Sequence, residues 1–238
     1  MRKEILIVKN ITHEGPGILE EVLKECGIRY TIIDLNQGQN FPSAENYGAI
    51  VALGGPDSAN DRNEKIKNEL ARIREVIAAN IPYLGICLGL QTLVKAAGGK
   101  VVKNPIKEIG FRDMENNRFT VDLTEDGKKD PLFLGLNHTL NVFHLHGETV
   151  ELTEGMTLLA VGKFCRNQIV KVGSNAYGIQ CHFELTPKMF ETWINEDTDL
   201  LVLDKEQLRT DFESIKKEYT QAGRQLFKNF LKIAGFLV

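Results

Sequence analysis

The chain has 238 residues, 42% of them hydrophobic and 26% charged, with a net charge of −3. That composition supports a full globular core and excludes a disordered chain. No block of Lys or Arg offers a surface for nucleic acid or an anionic membrane. No apolar run approaches the roughly 20 residues of a membrane span.

In the opening stretch "MRKEILIVKN" the apolar run covers residues 5–8 only. That is too short for the apolar region of a signal peptide and reads as a first strand, covered on both faces. "GILEEVLKECG" has helical spacing at Ile18, Val22 and Leu23, with Gly27 as its C-cap. "YTIIDL" and "YGAIVALGG" are the second and third strands. Asn60 and Asp61 are the expected caps of a helix through "NEKIKNELARIREVIAAN". "IPYLGI" is the fourth strand, and "LGLQTLVKAAGG" is its helix, closed by Gly98 and Gly99. Strands alternating with helices predict a doubly wound, mostly parallel sheet in a flavodoxin-like three-layer α/β fold. Over residues 101–180 shorter, antiparallel β segments are expected. The clearest is a hairpin in "QIVKVGSNAYGIQCHF", turning at Gly173, Ser174 and Asn175. Residues 187–238 read as mainly helical. With no repeat or linker, the expectation is one domain over residues 1–238: a core of about 1–195 and a helical extension of about 196–238.

The cysteines are Cys26, Cys87, Cys165 and Cys181, with no C-x-x-C pair. Reduced thiols in the cytoplasm are expected, and a structural zinc site is not. Cys87 stands apart. It sits where the fourth strand turns into its helix, between Gly85 and Gly89. A nucleophile elbow needs small neighbours two residues either side, because larger ones collide with the turn. A helix starting there also points free N–H groups and positive partial charge at the sulfur, favouring a thiolate. A structural Cys beside packing glycines explains the pentapeptide equally well.

Two other segments bear on that choice. A nucleophilic thiol needs a base, and the base needs an orienting group. "QCHFE" supplies His182 and Glu184, which share a side if they lie on a strand or meet across a loop at its end. Gly54-Gly55-Pro56 follows the third strand, where backbone N–H groups can approach an oxyanion closely.

"GGP", "GICLGLQ" and "CHFE", in this order and spacing, resemble class I (triad-type) glutamine amidotransferases over residues 1–195, among them stand-alone members related to the glutaminase domain of GMP synthase. "FHLHGETV" resembles the strand-turn segment these members carry before the His. The resemblance implies Cys87 as nucleophile, His182 as general base and acid, and Glu184 as orienting carboxylate. It implies an oxyanion hole from the N–H groups of Gly55 and Leu88, with Gly54 and Gln91 at the substrate glutamine. No cofactor is implied. The family usually has Pro between the His and the Glu; here it is Phe183.

No nucleotide fingerprint is present. Any ammonia-using synthetase is therefore expected to be a separate protein. A γ-glutamyl peptide hydrolase using the same triad, or a non-enzymatic relative, are the alternatives. His144 and His146 with Glu148 suggest metal ligands, but no further ligand is evident and a metal is not expected. His13 and His138 read as surface or capping residues. Cys181 and Trp193 read as core.

Overall fold

A computed structural model describes residues 4–238. Five strands form the parallel half of a nine-stranded sheet: β1 (Glu4–Lys9), β2 (Tyr30–Asp34), β3 (Tyr47–Ala52), β4 (Tyr83–Ile86) and β11 (Ala176–Ile179). They run in the order β2-β1-β3-β4-β11. The sheet continues antiparallel from β11 through β10 (Ile169–Val172), β9 (Met156–Gly162), β6 (Thr120–Leu123) and β7 (Thr139–Asn141). The antiparallel segment thus extends the same sheet. β5 (Lys100–Gly110) and β8 (His144–Glu151) form a separate antiparallel pair.

The continuous apolar runs have a simple cause. Ile5 and Ile7 face one buried cluster, and Leu6 and Val8 face the other. Every side chain of a central strand is covered, so alternation disappears. On the first face lie α1 (Ile18–Glu25), α4 (Pro187–Glu196) and α5 (Lys205–Ile233). On the second lie α2 (Glu64–Ala78) and α3 (Leu88–Ala96).

Local signals mostly hold. Gly27 takes a φ of +62° just past α1, and Gly173 a φ of +62° in the β10–β11 turn. One cap differs: Asn63, not Asn60 or Asp61, caps α2 by accepting from the N–H of Ile66. The side chain of Asn60 instead donates to the carbonyl of Val101 at 2.9 Å. Asp61 closes a tight turn by accepting from Ser58 N–H at 3.0 Å. Among the described residues, no helix is long and apolar enough to cross a membrane.

The helical segment beyond residue 195 is built into the core. Leu208, Phe212, Leu226, Phe227 and Phe230 of α5 are buried in the first cluster. A side chain on Gly223 would come within 2.3 Å of the Phe183 carbonyl, so the helix approaches the His182 segment closely only because that residue is Gly.

Candidate active site

The corner at Cys87 is strained and crowded. Its φ of 52° and ψ of −105° lie in a region that ordinary residues avoid. The flanking glycines are required by space. A Cβ on Gly85 would sit 2.1 Å from the Gly89 carbonyl oxygen, and one on Gly89 would sit 2.3 Å from the Ala52 carbonyl oxygen. The Cys87 N–H is tied to the carbonyl of Ile179 at 2.7 Å, which locks the corner to β11. Leu88 is the first residue of α3, so its N–H has no partner within the helix.

His182 and Glu184 lie just beyond β11, in a loop rather than on the strand. His182 Nδ1 is 2.6 Å from Glu184 Oε1. An ionised carboxylate only accepts, so Nδ1 carries the hydrogen and Nε2 is left as the basic atom. That Nε2 is buried and makes no aligned hydrogen bond, even to the nearby Cys87 sulfur. Burial alone would lower the His182 pKa, but the Glu184 carboxylate, helped by Cys87, outweighs it and holds the imidazole well above its ordinary range. Trp193 packs edge-on to the His182 ring at 5.1 Å, so this core residue also fixes the imidazole.

Phe183 has a definite role here. Its N–H donates to Glu184 Oε2 at 2.9 Å, a bond that proline cannot make. The backbone rigidity a proline would give comes from Tyr219 of α5. Its hydroxyl donates to the His182 carbonyl at 3.0 Å and accepts from the Leu185 N–H at 3.3 Å.

A cavity of about 400 Å³ opens over the corner, bordered by Cys87, His182, Gln91, Gly55, Glu148 and Glu14 among others. Gln91 is held there by Gln180, whose Oε1 accepts from Gln91 Nε2 at 3.3 Å. Gln180 Nε2 in turn lies 3.7 Å from the Cys87 sulfur. Gly54 lies against the corner: a Cβ there would stand 3.0 Å from Glu14 Oε2 and 3.5 Å from both Cys87 Cβ and His182 Cε1. Gly55 is pressed on Asn10, where a Cβ would approach to 2.6 Å. Two other thiols, Cys165 and Cys181, are buried and unsuited to attack. Burial pushes Cys165 up to about 11 and Cys181 well above the ordinary thiol range.

A model of the family described as glutamine amidotransferase class-I matches residues 17–198. The chain belongs to the class I glutamine amidotransferase family. Its relatives include the glutamine amidotransferase-like protein YfeJ of Salmonella typhimurium, 31% identical over 79% of this chain and 78% of that one. A GMP synthase [glutamine-hydrolyzing] of Thermosipho melanesiensis is 32% identical over 72% of this chain, which spans only 31% of that protein. The crystal structure of a glutamine amidotransferase from Thermotoga maritima superposes with a TM-score of 0.86 at 27% identity, covering 98% of this chain and 99% of that one.

His144 and His146 do converge with a carboxylate, but it is Glu108 of β5 and not Glu148. The three buried side chains offer ligand atoms within 4.8 Å of one another. The Glu148 carboxylate is turned away and accepts from the Ser58 hydroxyl at 3.0 Å. His146 Nδ1 faces the Glu148 carbonyl at 3.1 Å, and its Nε2 faces Glu108 Oε2 at 2.9 Å. Glu108 is also held by Gln168 Nε2 at 3.2 Å. Despite that distance His146 Nε2 makes no aligned hydrogen bond, and His144 Nδ1 is unpartnered as well. His13 pairs with Glu196 at 3.5 Å, and His138 is exposed, away from the cavity.

Glu14, Gln180 and Tyr219 carry no motif and escape a reading of the sequence. Glu14 could have been found from topology alone. It follows β1, and sites in open α/β sheets form outside the C-terminal ends of the parallel strands.

Proposed function

We propose that this amidotransferase hydrolyses the side-chain amide of glutamine through a thioester on Cys87. The observation that carries the reading is the shared cavity. It is lined by both the thiol of a strained residue at the N-cap position of α3 and a histidine whose Nδ1 is held by a buried carboxylate. The Cys87 thiolate attacks the amide carbon. The N–H groups of Gly55 and Leu88 hold the oxyanion, and losing one such donor costs about 3 kcal/mol in barrier. His182 Nε2 gives its proton to the departing ammonia, then takes one from the water that cleaves the thioester to glutamate. Glu184 keeps the imidazole in the tautomer this requires. Gln91, fixed by Gln180, and Gly54 bound the space for the glutamine chain.

The GMP synthase relatives are glutamine-hydrolysing by name, and this chain spans about a third of the one compared above. We infer that ammonia made here would pass to a separate synthetase in the cytoplasm. The test is glutamate release from free glutamine, with and without ammonia-accepting synthetases. Cys87-dependent release is expected, and equal release by Cys87→Ala overturns the reading.

A further inference from the structure

His144 and His146 stand two residues apart on β8, which puts both side chains on one face of the β5–β8 pair. Glu108 of β5 is paired directly with His146, just after the ladder is interrupted between Lys103 and Glu108. His144, His146 and Glu108 are 1%, 5% and 1% exposed. Their ligand atoms all lie within 4.8 Å of one another. Glu108 is thus the further ligand that the sequence alone does not show beside the two histidines.

The bonding around the cluster leaves lone pairs facing one another. His146 Nδ1 lies 3.1 Å from the Glu148 carbonyl, which only accepts, so Nδ1 carries the hydrogen and Nε2 is a bare lone pair. That Nε2 is 2.9 Å from Glu108 Oε2, yet the two are out of line for a hydrogen bond. A proton on Nε2 would point past the carboxylate. An ion held by both atoms would not, because two metal bonds of about 2.1 Å meeting at about 90° put their donor atoms about 3.0 Å apart. His144 Nδ1 has no partner either, and it is 4.0 Å from the same Oε2. Buried polar atoms are normally satisfied, so two orphaned nitrogens beside one carboxylate oxygen point to a shared cation.

The neighbouring groups hold these donors from behind, as metal ligands usually are. The Glu148 carbonyl fixes the His146 tautomer, and Gln168 Nε2 donates to Glu108 Oε2 at 3.2 Å. His146 also lines the cavity, which gives an ion a route in.

We propose that Glu108, His144 and His146 bind a divalent transition ion of the zinc class that staples β8 to β5. Two imidazoles and a carboxylate suit zinc, with water completing the coordination. The separations to His144 exceed those of a bound set, so binding draws β8 onto β5. The staple bears on the active site because β8 forms part of its wall. The Leu145 carbonyl is 3.7 Å from the Cys87 sulfur, and the Glu148 carbonyl accepts from Gln91 Nε2 at 3.5 Å. The ion's role is structural and does not depend on the thioester chemistry proposed above.

The experiment is a Zn²⁺ and Co²⁺ titration of the chelator-treated Cys87→Ala chain, in which Cys87 and His182 cannot capture the ion together. Co²⁺ should give a visible spectrum that saturates at one ion per chain, without a thiolate-to-metal band. Saturating Zn²⁺ should raise the thermal unfolding midpoint by about 5 °C or more. Adding Glu108→Gln, which keeps the shape and removes the charge, should weaken Co²⁺ binding about 100-fold or more and abolish the thermal shift. Adding Glu148→Gln, whose carboxylate is turned away from the cluster, should leave both unchanged. Failure to saturate at millimolar metal, equal affinity in the Glu108→Gln chain, or a thiolate band would each overturn the site. Should Glu108→Gln fail to fold, X-ray absorption of the zinc-loaded Cys87→Ala chain decides. Two imidazoles with only oxygen besides support the site, and sulfur or fewer than two imidazoles overturns it.

Discussion

The molecule buries two histidine–carboxylate groups, and they behave in opposite ways. His182 and Glu184 lie 2.6 Å apart at the end of the parallel half of the sheet. His144, His146 and Glu108 cluster on the β5–β8 pair. Both groups are almost fully buried. Yet His182 is held well above the ordinary histidine range, while His144 is pushed well below it by burial, with the neighbouring His146 adding to the effect. The difference lies in what each imidazole faces. His182 has a carboxylate in line with one nitrogen and a thiol near the other. His144 is 4.0 Å from Glu108 and packs edge-on against Phe119 and His146, with its Nδ1 unpartnered. Residue type and burial alone do not make a base; a directed carboxylate and a free nitrogen at the cavity do.

The largest effect should come from removing what only the first group serves. Cys87→Ala is expected to lower amide hydrolysis by about 10⁵-fold or more with little loss of stability, measured by glutamate release and denaturant unfolding. His182→Ala should cost about 10³-fold, because both the activated thiolate and the acid for the leaving group are lost. His144→Gln, in the second group, should change the rate less than about tenfold. Comparable losses in the two variants would erase the distinction. Glu184→Gln keeps the imidazole but weakens its orientation, and a loss of roughly 10²-fold is expected. Glu108→Gln should leave the pH–rate profile in place.

Stability against pH offers a test of opposite sign. A histidine raised on folding contributes stability that is fully present below about pH 6.5 and lost as pH rises through its folded value. A histidine lowered on folding contributes stability present above about pH 6.5 and lost as pH falls through its folded value. His182→Gln should therefore be more destabilising at about pH 5 than at pH 9, and His144→Gln less destabilising at pH 5 than at pH 8. Urea unfolding at these pH values reads both directions, and slopes of the same sign would refute the contrast.

A buried carboxylate with no imidazole completes the series. Glu69 is pushed up to about 7 by burial, although Asn10 and Thr92 donate to its Oε1. Its ionisation opposes folding, so the cost grows as pH rises from 4.5 to about 7. Glu69→Gln should stabilise the protein by at most about 3 kcal/mol above pH 7 and by almost nothing at pH 4.

The elbow was legible because part of its requirement is local: Gly85 is packed on Gly89 within the same five residues, whereas Gly89 is packed on Ala52 of β3. The parallel strands were legible for a related reason: burial on both faces erases alternation and leaves unbroken apolar runs. The true cap of α2 was obscured because Asn60, Asp61 and Asn63 are equally good cap residues by type, and only the path of the turn selects one.

What the sequence by itself determined is the set of short-range constraints: the two-faced strands, the amphipathic helices, the glycine-flanked corner and the His182-x-Glu184 spacing. Those follow from covalent geometry and from side-chain periodicity, which act over a turn or a strand. The tertiary structure alone decided that Tyr219, 37 residues from His182, holds its carbonyl. It also decided that Glu108 rather than Glu148 meets the paired histidines, and that Glu14 borders the cavity. Such pairings depend on which surfaces pack together after the sheet has closed, and the energy of a buried polar group is fixed by the neighbours it finds there rather than by its place in the chain.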